Sequence, residues 1–179
     1  MLARDQIVRA LDRLAGILRE RETQGEICLL GGTVMVLAFN ARPATRDVDA
    51  IFEPADLIRE AAAVVQREQG LPEAWLNDGA KGFLSVDHDV DAGDLPQFDG
   101  LRIVAPTAEY MLAMKCMASR IAHADTDPSD VADIRFLLIH LRIRTPEAAL
   151  AIVGRFYPAG RVPPRAVYLL ESILAESAP

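Results

Sequence analysis

Apolar side chains at Ile7, Val8, Leu11, Leu14, Ala15 and Leu18 recur at helical spacing, with Arg and Glu on the other face. That stripe predicts a helix over 4–21, and Gly25 ends the segment. Residues 26–30, Glu-Ile-Cys-Leu-Leu, are short, apolar and partly β-branched, which predicts a buried strand. Gly31-Gly32-Thr33 turns the chain, and Val34 to Asn40 is an apolar run long enough for two helical turns. Arg46 to Phe52 alternates polar and apolar through Val48, a strand signature of period two. Pro54-Ala55-Asp56 opens a helix to about Gly70, with Leu57, Ile58, Ala61, Val64 and Val65 on one face.

From Leu71 to Gly100 the chain is rich in Asp and Gly, around two short candidate strands at 74–76 and 82–86. Another short strand is predicted over Leu101–Val104. Thr107 is a candidate N-cap for a helix holding Tyr110, Met111, Met114, Met117 and Ala118. His123 to Ser129 is a polar break. Helices are predicted over 130–141, capped by Ser129 or Asp127, over 146–156 and over 164–175. Strands and helices mix in the first two thirds and helices fill the last third, which implies α+β, or α/β with a helical tail.

The chain has 179 residues, 51% hydrophobic and 25% charged. It is too apolar for disorder, and no apolar run reaches the ~18 residues of a membrane span. The length suits one domain, or one domain with a helical appendage. Lys and Arg number 19 against 26 Asp and Glu, a net charge of -7. That sign argues against broad coating of DNA and leaves room for a local basic patch. Cys28 and Cys116 lie inside apolar runs and read as buried free thiols, and no Cys/His spacing resembles a zinc site. The N-terminus lacks an apolar signal core, so a cytoplasmic location with no membrane partner is expected.

The informative chemistry is Leu30-Gly31-Gly32-Thr33 followed, one helix later, by Arg46-Asp47-Val48-Asp49. Asp47 and Asp49 are two apart on a strand, so both carboxylates project from one face. Two carboxylates so close repel, and a divalent cation relieves the conflict. Mg²⁺ takes a few carboxylate oxygens and completes its shell with waters and phosphates. Gly31-Gly32 lets backbone approach a phosphate closely, and the following helix presents N–H groups to it. Alone, an Asp-x-Asp pair is more often a solvated strand edge and a Gly-Gly pair usually just a turn; their combination in strand, glycine pair, helix, strand is the specific signal.

These residues resemble the minimal nucleotidyltransferases of the DNA-polymerase-β superfamily. Thr45-Arg46-Asp47-Val48-Asp49, with Met114-Lys115-Cys116-Met117-Ala118-Ser119-Arg120 and Asp127-Pro128-Ser129-Asp130-Val131-Ala132-Asp133-Ile134, is similar to the AbiE-type toxin branch and its bacterial relatives. The likeness spans about residues 26–140. It implies an α+β nucleotidyltransferase fold: a small mixed sheet flanked by helices, with a helical C-terminal part. Residues 1–105 would form the core and 106–179 the helical part packed on it, as a single compact unit. Asp47 and Asp49 would hold Mg²⁺ (or Mn²⁺) on the triphosphate of an NTP. Gly31, Gly32 and Thr33 would cradle phosphate, and Arg46 and Arg120 would belong to the nucleotide site. Lys115 would neutralise phosphate charge or help activate the acceptor, with Asp130 or Asp133 orienting it or lining the site. The reaction implied is transfer of an NMP to a hydroxyl of tRNA, another nucleic acid or a protein. The partners implied are the NTP, that acceptor and, for a toxin of a toxin–antitoxin pair, an antitoxin. The alternative is an inactive binding module of the same fold for nucleotide, RNA or a partner protein.

Several of these residues keep a second reading. Lys115 could be the solvent-facing position of its helix, and Arg120 a helix-end charge. Asp127, Asp130 and Asp133 could be cap and first-turn acids. Arg46 could pair with its neighbours. The wider superfamily carries a third carboxylate on a later strand, for which Asp78, Asp87 and Asp89 are the candidates. No hydrolase elbow, P-loop or zincin motif occurs, and His88, His123 and His140 form no nucleophile–base pattern.

Overall fold

A computed structural model of the chain describes residues 1–79, 82, 84–119 and 128–176. No helix among them is long and apolar enough to cross a membrane. The chain divides into two compact units, Met1–Gly82 with Val90–Pro106, and Phe83–Asp89 with Thr107–Pro179. Together they are mixed α+β.

The first unit runs β1 (Leu2–Ala3), α1 (Arg4–Glu20), β2 (Gly25–Leu29), α2 (Gly31–Leu37), β3 (Ala44–Thr45), β4 (Val48–Glu53), α3 (Ala55–Gln69), β5 (Leu76–Asn77), β6 (Val90–Asp91) and β7 (Leu101–Pro106). A mixed five-stranded sheet has the order β5-β4-β2-β7-β6. β2 pairs antiparallel with β4, placing Leu29 opposite Ala50, and parallel with β7, placing Ile27 opposite Ile103. β5 lies parallel to β4 with Asn77 opposite Asp49. β1 and β3 form a separate antiparallel pair, Leu2 opposite Thr45.

Ile7, Leu11, Leu14 and Leu18 of α1 are fully buried, as are Ile58, Ala61 and Val65 of α3. α1 packs on α3 and α3 on β4, and Ile27 and Leu29 of β2 and Val48 and Ala50 of β4 are buried as well. Each such aliphatic side chain contributes ~1.5–3 kcal/mol by leaving water. The buried strand expected at 26–30 is β2, with Ile27 and Leu29 buried, Glu26 exposed and Cys28 half-buried. The Arg4 guanidinium donates to the Val36 and Leu37 carbonyls at 3.1 and 2.7 Å, closing the C-terminal end of α2.

The second unit holds α4 (Ala108–Ala118), α5 (Pro128–His140), α6 (Pro146–Phe156), a 3₁₀ turn at Ala159–Arg161 and α7 (Pro164–Glu176). Every residue from Tyr110 to Cys116 is buried, so α4 is the central helix of this unit. Thr107 caps it, its hydroxyl oxygen accepting from the Tyr110 N–H at 3.4 Å. Tyr110 stacks on Phe156 of α6 with ring centroids 4.8 Å apart.

Two strand expectations shift. The one at 74–76 moves to Leu76–Asn77, because Ala74 adopts a left-handed φ of 53° and Trp75 turns inward, donating to the Ala62 carbonyl at 3.0 Å. The one at 82–86 is absent among its described residues. Ser85 there donates its N–H to the Tyr110 hydroxyl at 2.8 Å and its own hydroxyl to the Phe156 carbonyl, so its polar groups are satisfied by helices of the second unit rather than by a strand.

Candidate functional site

In the first unit, β2 ends where the Leu30 N–H donates to the Asp49 carbonyl at 2.7 Å. The chain then enters α2 directly, so Gly31 and Gly32 are the first turn of a helix and not a loop before one. Gly31 has φ +58°, a region that disfavours any side chain. A Cβ there would sit 2.6 Å from Asp49 Oδ2. A Cβ on Gly32 would run into Thr45 Oγ1 and lie 3.3 Å from Arg42 Nη1. Both glycines are therefore required by close approach: carboxylate on one, hydroxyl and guanidinium on the other.

Asp49 projects from β4, and Asp47 precedes that strand by one residue. Val48 and Ala50 point into the core, so the period of two puts both acids on the other side, half-buried. Asp47 is held at two atoms. Its carbonyl accepts from Thr33 Oγ1 at 3.1 Å, and its Oδ2 accepts from Asn77 Nδ2 at 3.1 Å. Asn77 is in turn oriented by the Gly79 N–H, which donates to its Oδ1 at 2.9 Å. Thr33 is fully buried. Its hydroxyl braces Asp47 from within, because a hydroxyl on the inner face of a helix needs an acceptor there. Arg46 is exposed beside Asp47, and Arg42 is half-buried.

None of the three candidates for a third acid belongs to β5, where Asn77 pairs with Asp49. Asp78 pairs with Arg59 at 2.9 Å. Asp89 and Asp87 lie in the second unit, where Asp89 accepts from the Thr107 hydroxyl at 3.1 Å and Asp87 is exposed. The position opposite Asp49 belongs to Asn77, which sequence reasoning passed over. The one signal for it was alternation after Trp75, which separates Asn77 from Asp78 by face.

Among the described residues no group of three or more His, Cys, Asp or Glu is arranged to hold a metal. The donors present still suit Mg²⁺ or Mn²⁺: two half-buried carboxylates of hard oxygen on one side of β4.

A second charged cluster lies wholly within the helical unit. Lys115 of α4 is 8% exposed, so it does not face solvent. Its Nζ lies 2.7 Å from Asp130 Oδ1 and 2.8 Å from Asp133 Oδ2, both on α5. Asp133 is 2% exposed. The spacing of three sets both acids on one helical face, bracketing the ammonium. Arg120 and Asp127 lie outside the described residues.

The cysteines do not suit nucleophilic chemistry. Burial pushes the Cys116 thiol up to about 12. Desolvation, with Glu26 adding to it, pushes Cys28 up to about 11. His88 Nδ1 lies 3.2 Å from the nearby Val86 carbonyl, and His140 stacks on Phe136. No family model, curated protein or solved structure matches the chain.

Proposed function

We propose that the chain is a nucleotidyltransferase: it binds an NTP with Mg²⁺ or Mn²⁺ at Gly31, Gly32, Asp47 and Asp49 and transfers the NMP to a hydroxyl acceptor. The observation that carries this reading is the fit of Asp49 against Gly31, whose Cβ position is taken by the Asp49 carboxylate. In the reaction, the acceptor oxygen bonds to the α-phosphorus, the bond to the β-phosphate oxygen breaks, and pyrophosphate leaves while the acceptor proton passes to solvent. A divalent cation held there would neutralise phosphate charge and stabilise the departing pyrophosphate. Asp47 and Asp49 supply the carboxylate ligands. Thr33 and Asn77 hold Asp47 in place. Gly31 and Gly32 let Asp49, Thr45 and Arg42 close on the start of α2, and Arg46 lies exposed beside the pair.

The sequence likeness also assigns Lys115, with Asp130 and Asp133, to catalysis. That assignment is a separate proposal, tested by Lys115→Arg. The variant keeps the charge but replaces a compact ammonium by a planar fork, and should lose transfer while remaining folded. Membership of a toxin–antitoxin pair rests on the likeness alone. It requires growth arrest on expression that Asp47→Ala abolishes, and relief by a protein encoded next door.

The test of the main reading is incubation with each α-labelled NTP, Mg²⁺ and cell extract. Label should appear on an RNA or protein acceptor, and Asp47→Ala and Asp49→Ala should abolish it. Equal transfer by the variants would refute the assignment. One observation favours a second reading, a nucleotide-binding module without turnover: the strand beside Asp49 offers the neutral Asn77 where a carboxylate could take a proton. Metal-dependent NTP binding with no transfer to any acceptor would select it.

A further inference from the structure

Asn77 meets Asp47 through a fixed geometry. It stands on β5 opposite Asp49 in the parallel register. The Gly79 N–H on its Oδ1 settles which end of the amide faces which way, so a donor and not an acceptor is presented to Asp47 Oδ2. The Thr33 hydroxyl holds the other end of the same residue. Asp47 is thus fixed by two uncharged donors. The nearest acid in sequence to Asn77, Asp78, is turned onto Arg59.

We propose that Asn77 is a positioning residue for the Asp47 carboxylate and that, being neutral, it leaves the Asp47–Asp49 pair one ligand short, so that the site takes its cation as a metal–nucleoside triphosphate chelate and not as the bare ion. This rests on the nucleotide-binding reading above. Two carboxylates make a weak site for a bare hydrated dication, whereas triphosphate oxygens complete the shell. No third His, Cys, Asp or Glu among the described residues supplies the missing ligand. Cation and nucleotide then bind with positive coupling, which is reciprocal by linkage. A carboxylate at position 77 would act in the opposite sense, strengthening the grip on a bare cation and removing the need for nucleotide.

The experiment is a titration of the full chain with Mn²⁺, free ion being read by electron paramagnetic resonance. It is run with and without the α,β-methylene analogue of whichever NTP binds best. For the wild type, Mn²⁺ alone should bind at least tenfold more weakly than Mn²⁺ with the analogue. Asn77→Asp should tighten bare Mn²⁺ at least tenfold and shrink the coupling. Asn77→Ala should weaken the Mn²⁺–analogue complex about tenfold with no gain for the bare ion; Asn77→Ser replaces it if the alanine variant does not fold. A gain in bare-ion affinity in one variant and none in the other is not expected of a residue that only supports the fold. The inference is overturned if both variants leave these affinities unchanged or weaken them alike while Asp47→Asn abolishes binding. It is equally overturned if the wild type binds bare Mn²⁺ as tightly as with the analogue, a result that needs no variant to fold. Failure of the underlying reading has its own signature: no metal–nucleotide binding by the wild type and no difference from Asp47→Asn.

Discussion

Gly31→Ala separates the local geometry of the site from ordinary backbone strain, because the chain contains its own control. Gly31 and Gly70 have nearly the same left-handed φ, +58° and +63°. An alanine at either position therefore carries the same backbone penalty of ~1–2 kcal/mol. For a chain of this size that lowers Tm by roughly 3–6 °C. At Gly70 a Cβ meets nothing within 4 Å, whereas at Gly31 it meets Asp49 Oδ2 at 2.6 Å. Reaching an ordinary contact of 3.4 Å requires the carboxylate to retreat by about 0.8 Å, beyond the ~0.5 Å within which a functional group must be held. Misplacement on that scale costs on the order of 100-fold. Urea titration should thus show two variants of similar stability. Calorimetry with Mn²⁺ and a non-hydrolysable NTP should give Gly70→Ala the affinity of the wild type and Gly31→Ala an affinity about 100-fold lower. Wild-type affinity in folded Gly31→Ala, or an equal loss in both, would refute the reasoning.

Other expectations follow from the same structure. Lys115→Met removes the ammonium 2.8 Å from the buried Asp133 and should cost up to ~3–5 kcal/mol in urea unfolding, with part recovered by adding Asp133→Asn; no measurable cost would mean the pair does not hold α4 to α5. Thr33→Val removes the donor to the Asp47 carbonyl and should cost ~1–2 kcal/mol, together with a measurable loss of Mn²⁺–nucleotide affinity. The cysteines set an alkaline limit. Their ordinary value is 9.0, and the folded thiols hold their protons to about 11 at Cys28 and about 12 at Cys116. The unfolded state therefore binds fewer protons above pH 9, so stability is whole below that pH and declines as pH rises through 11 and 12. Between pH 8 and pH 11 the urea midpoint of the wild type should fall further than that of Cys116→Ala; equal falls would contradict the raised thiol.

What could be read from the chain, and what could not, follows the range of the interactions. α1 and α3 carry a stripe of apolar residues at helical spacing, so their faces are written locally, and the structure buries Ile7, Leu11, Leu14 and Leu18 as that stripe requires. Asp47 and Asp49 fall on one side because strand alternation is equally local. The place of Asn77 depends on which residue of β5 meets Asp49 across the sheet, a register fixed by the turn at Ala74 and the burial of Trp75. Alternation after Trp75 sets the face of Asn77, but not which residue of β4 it meets. Lys115 interrupts an apolar run, which is equally the pattern of an exposed position and of a buried ion pair. Its two partners on α5 decide between them. Thr33 could be seen as part of a phosphate-binding turn only while the glycines were thought to precede the helix. Once they form its first turn, the threonine side chain faces inward.

The central claim is that Asp47 and Asp49 share a divalent cation delivered with a nucleotide. Crystals grown with Mn²⁺ and a non-hydrolysable NTP, measured at the manganese absorption edge, address it directly. The account predicts an anomalous peak bonded to oxygens of both carboxylates and to the triphosphate beside Gly31 and Gly32. A nucleotide bound elsewhere in the chain, with no peak at Asp47 and Asp49, would contradict it.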